Sequence, residues 1–283
     1  MDEIRMVLLG KTGSGKSSFG NTLLGEEVFD SARGLSSGTQ KCNWIRRRIN
    51  GIQLSITDTP GLCDTHRSEE EVLLEVGKSV AVACPGPHVV IIVIPCNRRF
   101  TKEEYDAVKT LLALFGENVR RYLIVVFSGG DDLKVPIDSM QQELEKQIKR
   151  ASEELKEVLC DAYNRYYVVD NTGTEQQQKQ HASFVLGKIQ ELIKKNGNTY
   201  FSNDMVDKYN KKVQEIIHRH QEEHSLTEEE ADKEAREAIV KEEEGVGFLD
   251  TVATIAKDYV LPVVGSLASG VVYGAVAKRC SVM

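Results

Sequence analysis

Gly10-Lys11-Thr12-Gly13-Ser14-Gly15-Lys16-Ser17 follows the apolar run Met6-Val7-Leu8-Leu9 and precedes a helix-compatible stretch. The pattern G-x-x-x-x-G-K-S between a strand and a helix is that of a phosphate-binding loop. Its glycines let the backbone curl so that successive N–H groups point inward. Lys16 reaches the terminal phosphates as a point charge, and the Ser17 hydroxyl can ligate magnesium. A glycine-rich turn can also serve packing alone, but here every constrained position is filled and both flanks are right. Gly10 to Ser18 are therefore the candidate phosphate-binding residues of a nucleoside triphosphate site.

Outward from this loop, apolar runs alternate with helix-periodic stretches, the pattern of a doubly wound α/β sheet. Strands are expected over 4–9, 41–49, 52–58, 89–94, 123–127 and 166–169, and helices over 16–24, 69–83, 102–114, 139–163 and 175–194. Asn50-Gly51 tolerates positive φ and suits a two-residue hairpin, so the second and third strands should be antiparallel and the others parallel. In such sheets ligands bind beyond the carboxyl ends of the strands.

Asp58-Thr59-Pro60-Gly61 closes the third strand with D-x-x-G. The aspartate can hold a magnesium-bound water, and the Gly61 N–H can approach a γ-phosphate, which makes 62–67 the expected switch loop. Thr39, in the polar loop before the second strand, is the second candidate metal ligand beside Ser17; its plain reading is a turn threonine. The fifth strand ends in Ser128-Gly129-Gly130-Asp131-Asp132-Leu133. Guanine offers two adjacent donors that one carboxylate can receive, and Asp132 is placed for that. The usual guanine signature has Asn-Lys where Gly129 and Gly130 stand, so the lysine that normally covers the base is absent. Asn171, in Asp170-Asn171-Thr172-Gly173, is a second base-side candidate, although both loops are also good plain turns.

With 283 residues and 41% hydrophobic content, the chain can bury one full core and still carry appendages. A net charge of -7 provides no basic stripe for nucleic acid. The six cysteines contain no C-x-x-C pair, which points to thiols in a reducing compartment. The amino terminus lacks the layout of a secretory signal, so a cytosolic nucleotide domain is expected. Residues 204–244 read as two helices with an acidic outer face, restarting at a capping box Ser225-Leu226-Thr227-Glu228. They either fold against the nucleotide domain or mediate self-association. Residues 259–277 carry no charge and at about 1.5 Å per residue are just long enough for a bilayer core. The chain ends Cys280-Ser281-Val282-Met283, a match to a prenylation box with Cys280 as acceptor. A single span would carry Cys280 away from the side where prenyl groups are attached, so the two signals are alternatives. Either one attaches the nucleotide domain to the cytosolic face of an intracellular membrane. The resulting division is 1–200, 201–244 and 245–283.

The chain resembles the GIMAP family, within the septin-like branch of the Ras-type GTPases. The resemblance rests on the phosphate loop, on Asp58 to Thr65, and on Cys84-Pro85-Gly86-Pro87-His88 with Arg99-Phe100-Thr101-Lys102-Glu103-Glu104, and it closes at Tyr200-Phe201-Ser202-Asn203-Asp204-Met205. It implies a Ras-like fold, binding of GTP or GDP with magnesium, and homodimers or homo-oligomers through the nucleotide face. A Ras-like enzyme has a glutamine directly after D-x-x-G, and here that place is Leu62, so intrinsic hydrolysis should be slow. Arg99 is the candidate arginine finger, reaching phosphates across a dimer; its plain reading is a solvated surface charge. A non-hydrolysing GTP-dependent scaffold is the alternative function, and a P-loop ATPase or kinase is a third, disfavoured by Asp132.

Overall fold

The computed structural model describes residues 3–30, 41–61 and 69–241, with 254, 255 and 258 beyond them. Thr39, Leu62, the switch loop and the tail with Cys280 lie outside the described residues. Six strands, β1 (Glu3–Leu9), β2 (Asn43–Ile49), β3 (Ile52–Asp58), β4 (Val89–Pro95), β5 (Leu123–Ser128) and β6 (Tyr166–Val168), form one sheet in the order β2-β3-β1-β4-β5-β6. Only β2 and β3 pair antiparallel; the other pairings are parallel. Their turn is the expected one: Asn50 and Gly51 have φ of 50° and 83°, and Ile49 faces Ile52 across it.

Every residue of β4, Val-Val-Ile-Ile-Val-Ile-Pro, is buried, as a parallel strand covered on both faces requires. Alternation along β1 divides the core in two. Ile4, Met6 and Leu8 pack with α1 (Lys16–Leu24) and α6 (Glu175–Lys195) on one face. Val7 and Leu9 face the other, which gathers α2 (Glu69–Val82), α3 (Lys102–Phe115), α4 (Met140–Ile148), α5 (Glu153–Asp161), α7 (Asp204–His224) and α8 (Glu228–Lys241). The last two helices share this core: α7 packs on α2, and α8 on α2 and β2. Tyr209, Val213, Ala235 and Ile239 have no exposed surface. Phe201 meets Phe115 and Tyr122 edge-on at 5.7 and 5.8 Å. Asp232 of α8 also receives Arg46 of the edge strand β2 at 2.6 Å, and Arg236 donates to the Val82 carbonyl.

Two expectations are corrected. The stretch 139–163 is two helices, because Ser152 adopts an extended backbone and its hydroxyl accepts the Leu155 N–H, starting a new N-terminus. The capping box before α8 belongs to Thr227 and Glu230, whose side chains each accept the other's backbone N–H. Ser225 instead takes a left-handed conformation, φ 54°, that closes α7.

Candidate nucleotide site

β1 delivers the phosphate loop to the carboxyl edge of the sheet, next to β3 on one side and β4 on the other. Gly15 is the N-cap of α1 with φ 88°, a left-handed conformation natural to glycine. A Cβ there would lie 3.1 Å from the Ser128 hydroxyl. Lys16 is buried, and its Nζ donates to the Gly10 and Lys11 carbonyls at 3.1 Å each, so the cation is held across the loop. The Ser14 N–H closes a turn on the Lys11 carbonyl. Ser14 Oγ is buried with no hydrogen-bond partner among the described residues, a polar atom that a phosphate oxygen would satisfy.

Ser17 Oγ donates to Asp58 Oδ2 at 2.5 Å, which brings together two of the three side chains expected around magnesium; the third, Thr39, lies outside the described residues. Thr59 Oγ1 donates to the Leu8 carbonyl at 2.7 Å and pins the D-x-x-G turn to β1. Gly61 lies so close to Thr12 that a Cβ would collide with its Oγ1, N and Cα; no other residue allows this approach. The donor set, with a lysine, a serine hydroxyl and a loop of backbone N–H groups, fits a nucleotide polyphosphate and its magnesium. Ser17 and Asp58 would hold the cation, directly or through water, and it would offset phosphate charge there.

On the base side, Ser128 Oγ donates to the Ser14 carbonyl at 2.6 Å, fastening the end of β5 to the phosphate loop. Thr22 of α1 donates to Asn171 Oδ1 at 3.0 Å. The Asp170 carboxylate accepts from Thr172 N, Thr172 Oγ1 and Gly173 N, which rigidifies that turn. Asp132 is exposed and accepts from Asn97 Nδ2 at 2.7 Å. Cys96 donates its thiol to the Gly129 carbonyl. Burial, then the Asp132 charge, pushes that thiol up to about 11, so it stays protonated as a donor.

Beside them lies a cleft of about 430 Å³ lined by Gly13, Gly15, Ser18, Asn97, Arg98 and Asn171 among others. Arg99 lies instead on a neighbouring cleft of about 610 Å³, with Lys102 and Arg150, and it is exposed. Sequence reasoning missed Thr22, Asn97, Arg98 and Ser128. Asn97 and Arg98 follow the end of β4 directly, and that carboxyl-edge position was the available signal.

The AIG1 family model matches residues 4–222. The chain belongs to the AIG1 family. Among relatives, immune-associated nucleotide-binding protein 7 of Arabidopsis thaliana is 30% identical over 77% of this chain and 70% of its own length. Human GTPase IMAP family member 8 is 30% identical over 72% of this chain and 30% of its own. With other Arabidopsis members the match spans between 39% and 66% of the relative's length. Arabidopsis Toc33, solved with Mg2+ and GMPPNP, shares the fold at a TM-score of 0.51 and 19% identity, over 68% of this chain and 86% of that one. The AIG1 family match agrees with the GIMAP resemblance carried by the phosphate loop, D-x-x-G and the segment around His88.

Proposed function

We propose that this AIG1-family chain is a guanine-nucleotide-binding GTPase switch that holds GTP or GDP with magnesium. It hydrolyses GTP slowly alone and faster when two copies meet across the nucleotide face, and it attaches by residues 245–283 to the cytosolic face of an intracellular membrane. One observation carries the nucleotide reading: the Ser17–Asp58 contact at 2.5 Å joins the phosphate loop to D-x-x-G, the pairing a magnesium-dependent γ-phosphate sensor needs. The relatives' names, nucleotide-binding and GTPase, support it. Slow turnover rests on Leu62, an apolar residue that cannot orient water. Assembly dependence rests on Arg99, which is exposed and lines the neighbouring cleft. The membrane reading rests on the uncharged stretch 259–277 and on Cys280; among the described residues no helix is long and apolar enough to cross a membrane.

The test uses the full chain with magnesium. Fluorescent GDP should bind more tightly than the ADP analogue, and Asp132→Ala should erase that preference. Phosphate release per subunit should rise with protein concentration, and Arg99→Ala should remove the rise. Equal binding of both bases, indifferent to Asp132, overturns the guanine reading. Release that never exceeds the uncatalysed rate favours the scaffold alternative. Flotation with anionic vesicles, lost on truncation after Lys241, tests the tail.

A further inference from the structure

The base loop lacks the side chain that covers a guanine. A side chain at Gly130 would be crowded: a Cβ there would lie 3.1 Å from Met140 Sδ, 3.1 Å from the Val169 carbonyl and 3.2 Å from Val168 Cγ2, each closer than ordinary van der Waals contact. The loop has sunk against β6 and α4, and Gly130 is buried. The cleft is also lined by another element, the segment after β4. Asn97 donates to Asp132 Oδ2 at 2.7 Å. Arg98 and Pro95 border both this cleft and the larger one beside it. Arg98 reaches Glu104 at only 3.8 Å, with its side chain 42% exposed, a loose ion pair that holds little of its free energy.

We infer that Arg98 supplies the missing cover of the base and that Asn97 sets the plane of the Asp132 carboxylate that reads it. A carboxylate has acceptor sites for Asn97 and for both guanine donors together. The Asn97 amide therefore orients Asp132 without occupying it, and Asn97 is a positioning residue. An arginine plane stacks on any purine face, whereas the Asp132 edge distinguishes guanine. The two roles are therefore separable: Arg98 contributes affinity without base preference, and Asn97 contributes preference. This inference rests on the guanine-nucleotide reading above.

The experiment measures competition by GDP, ADP, XDP and inorganic pyrophosphate against a fluorescent GDP analogue, on the full chain with magnesium. The variants are Arg98→Ala, Arg98→Lys and Asn97→Ala, with Asp132→Asn as reference. Arg98→Ala should weaken GDP and ADP alike by about tenfold and leave pyrophosphate unchanged, with Arg98→Lys recovering only part. Asn97→Ala should lower the GDP over ADP ratio by several-fold, approaching but not reaching Asp132→Asn, which should favour XDP. Equal weakening of GDP and pyrophosphate in Arg98→Ala would place the guanidinium on phosphate and overturn the cover. Unchanged GDP affinity in Arg98→Ala, or an unchanged base ratio in Asn97→Ala, would overturn the corresponding role while leaving the guanine reading intact. Wild-type protein that does not distinguish GDP from ADP would instead refute the guanine reading itself. Thermal melts without nucleotide, unchanged in the variants, separate these outcomes from misfolding.

Discussion

Acidification should remove stability through one buried imidazole, His88, directly before β4. The residue is 5% exposed. Its Nδ1 accepts the Arg5 backbone N–H at 3.0 Å, so that nitrogen carries no proton, and its Nε2 lies 3.5 Å from the Arg5 guanidinium. Protonation would place a second cation in a pocket that already holds one. Burial first, and Arg5 second, lower its pKa from 6.5 to about 3. An unfolded chain takes up this proton near its ordinary value, while the native state refuses it until about 3. Between those limits the unfolded state binds more protons, so the contribution is intact above the unfolded pKa and is lost as pH falls. The slope approaches about 1.4 kcal/mol per pH unit, which makes roughly 2 kcal/mol by pH 5 and about 4 to 5 kcal/mol across the whole window. That is a large share of the stability of an ordinary domain. The assay is urea denaturation at intervals from pH 7.5 to 4, on wild type and on His88→Asn, whose amide oxygen can accept the same N–H and does not titrate. Other acid-sensitive groups are common to both proteins, so the difference between their slopes isolates the imidazole. Parallel loss of stability in the two proteins, or an imidazole that NMR shows titrating near 6.5 in the native state, would refute the reasoning.

Lys109 sits between Asp161 and Glu157, 2.6 Å from each, and ties α3 to α5; Lys109→Met should cost about 3 kcal/mol, because it strips a cation from the buried Asp161 carboxylate and the half-buried Glu157. Arg120 still holds Asp161 at 3.0 Å, so adding Glu157→Gln should recover part of the loss, as read from urea midpoints. Gly61→Ala should displace the turn from Thr12 and weaken a GTP analogue more than GDP, by about 2 kcal/mol or roughly 30-fold for one lost charge-assisted hydrogen bond. Equal losses for the two nucleotides, by calorimetry, would separate Gly61 from γ-phosphate sensing.

The six strands, the hairpin and the phosphate loop were legible because each is governed by a local rule: two-residue alternation, positive φ at Asn50-Gly51, or inward N–H groups between glycines. Errors fell where a local signal had a competitor. Helical periodicity runs through Ser152, although a serine before Glu153-Glu154 is also an N-cap. Ser225 and Thr227 both fit the start of a capping box, and only the backbone of the α7 terminus decides between them. For the site, Ser14, Lys16, Ser17, Asp58 and Asn171 were each nameable from their motifs, and the structure brings them to one edge.

From the sequence alone followed the doubly wound sheet, the polyphosphate cradle and the vacant lysine position at Gly130, since spacing and residue type determine all three. The tertiary structure decided which distant side chains meet there. Asn97 reaches Asp132 across 35 positions, Ser128 reaches Ser14 across 114, and Thr22 reaches Asn171 across 149. It also decided that α7 and α8 share the core of α2. No periodicity encodes such pairings. They arise because the parallel order β1-β4-β5-β6 carries the carboxyl ends of separate strands to one edge, where polar groups far apart in the chain must satisfy one another.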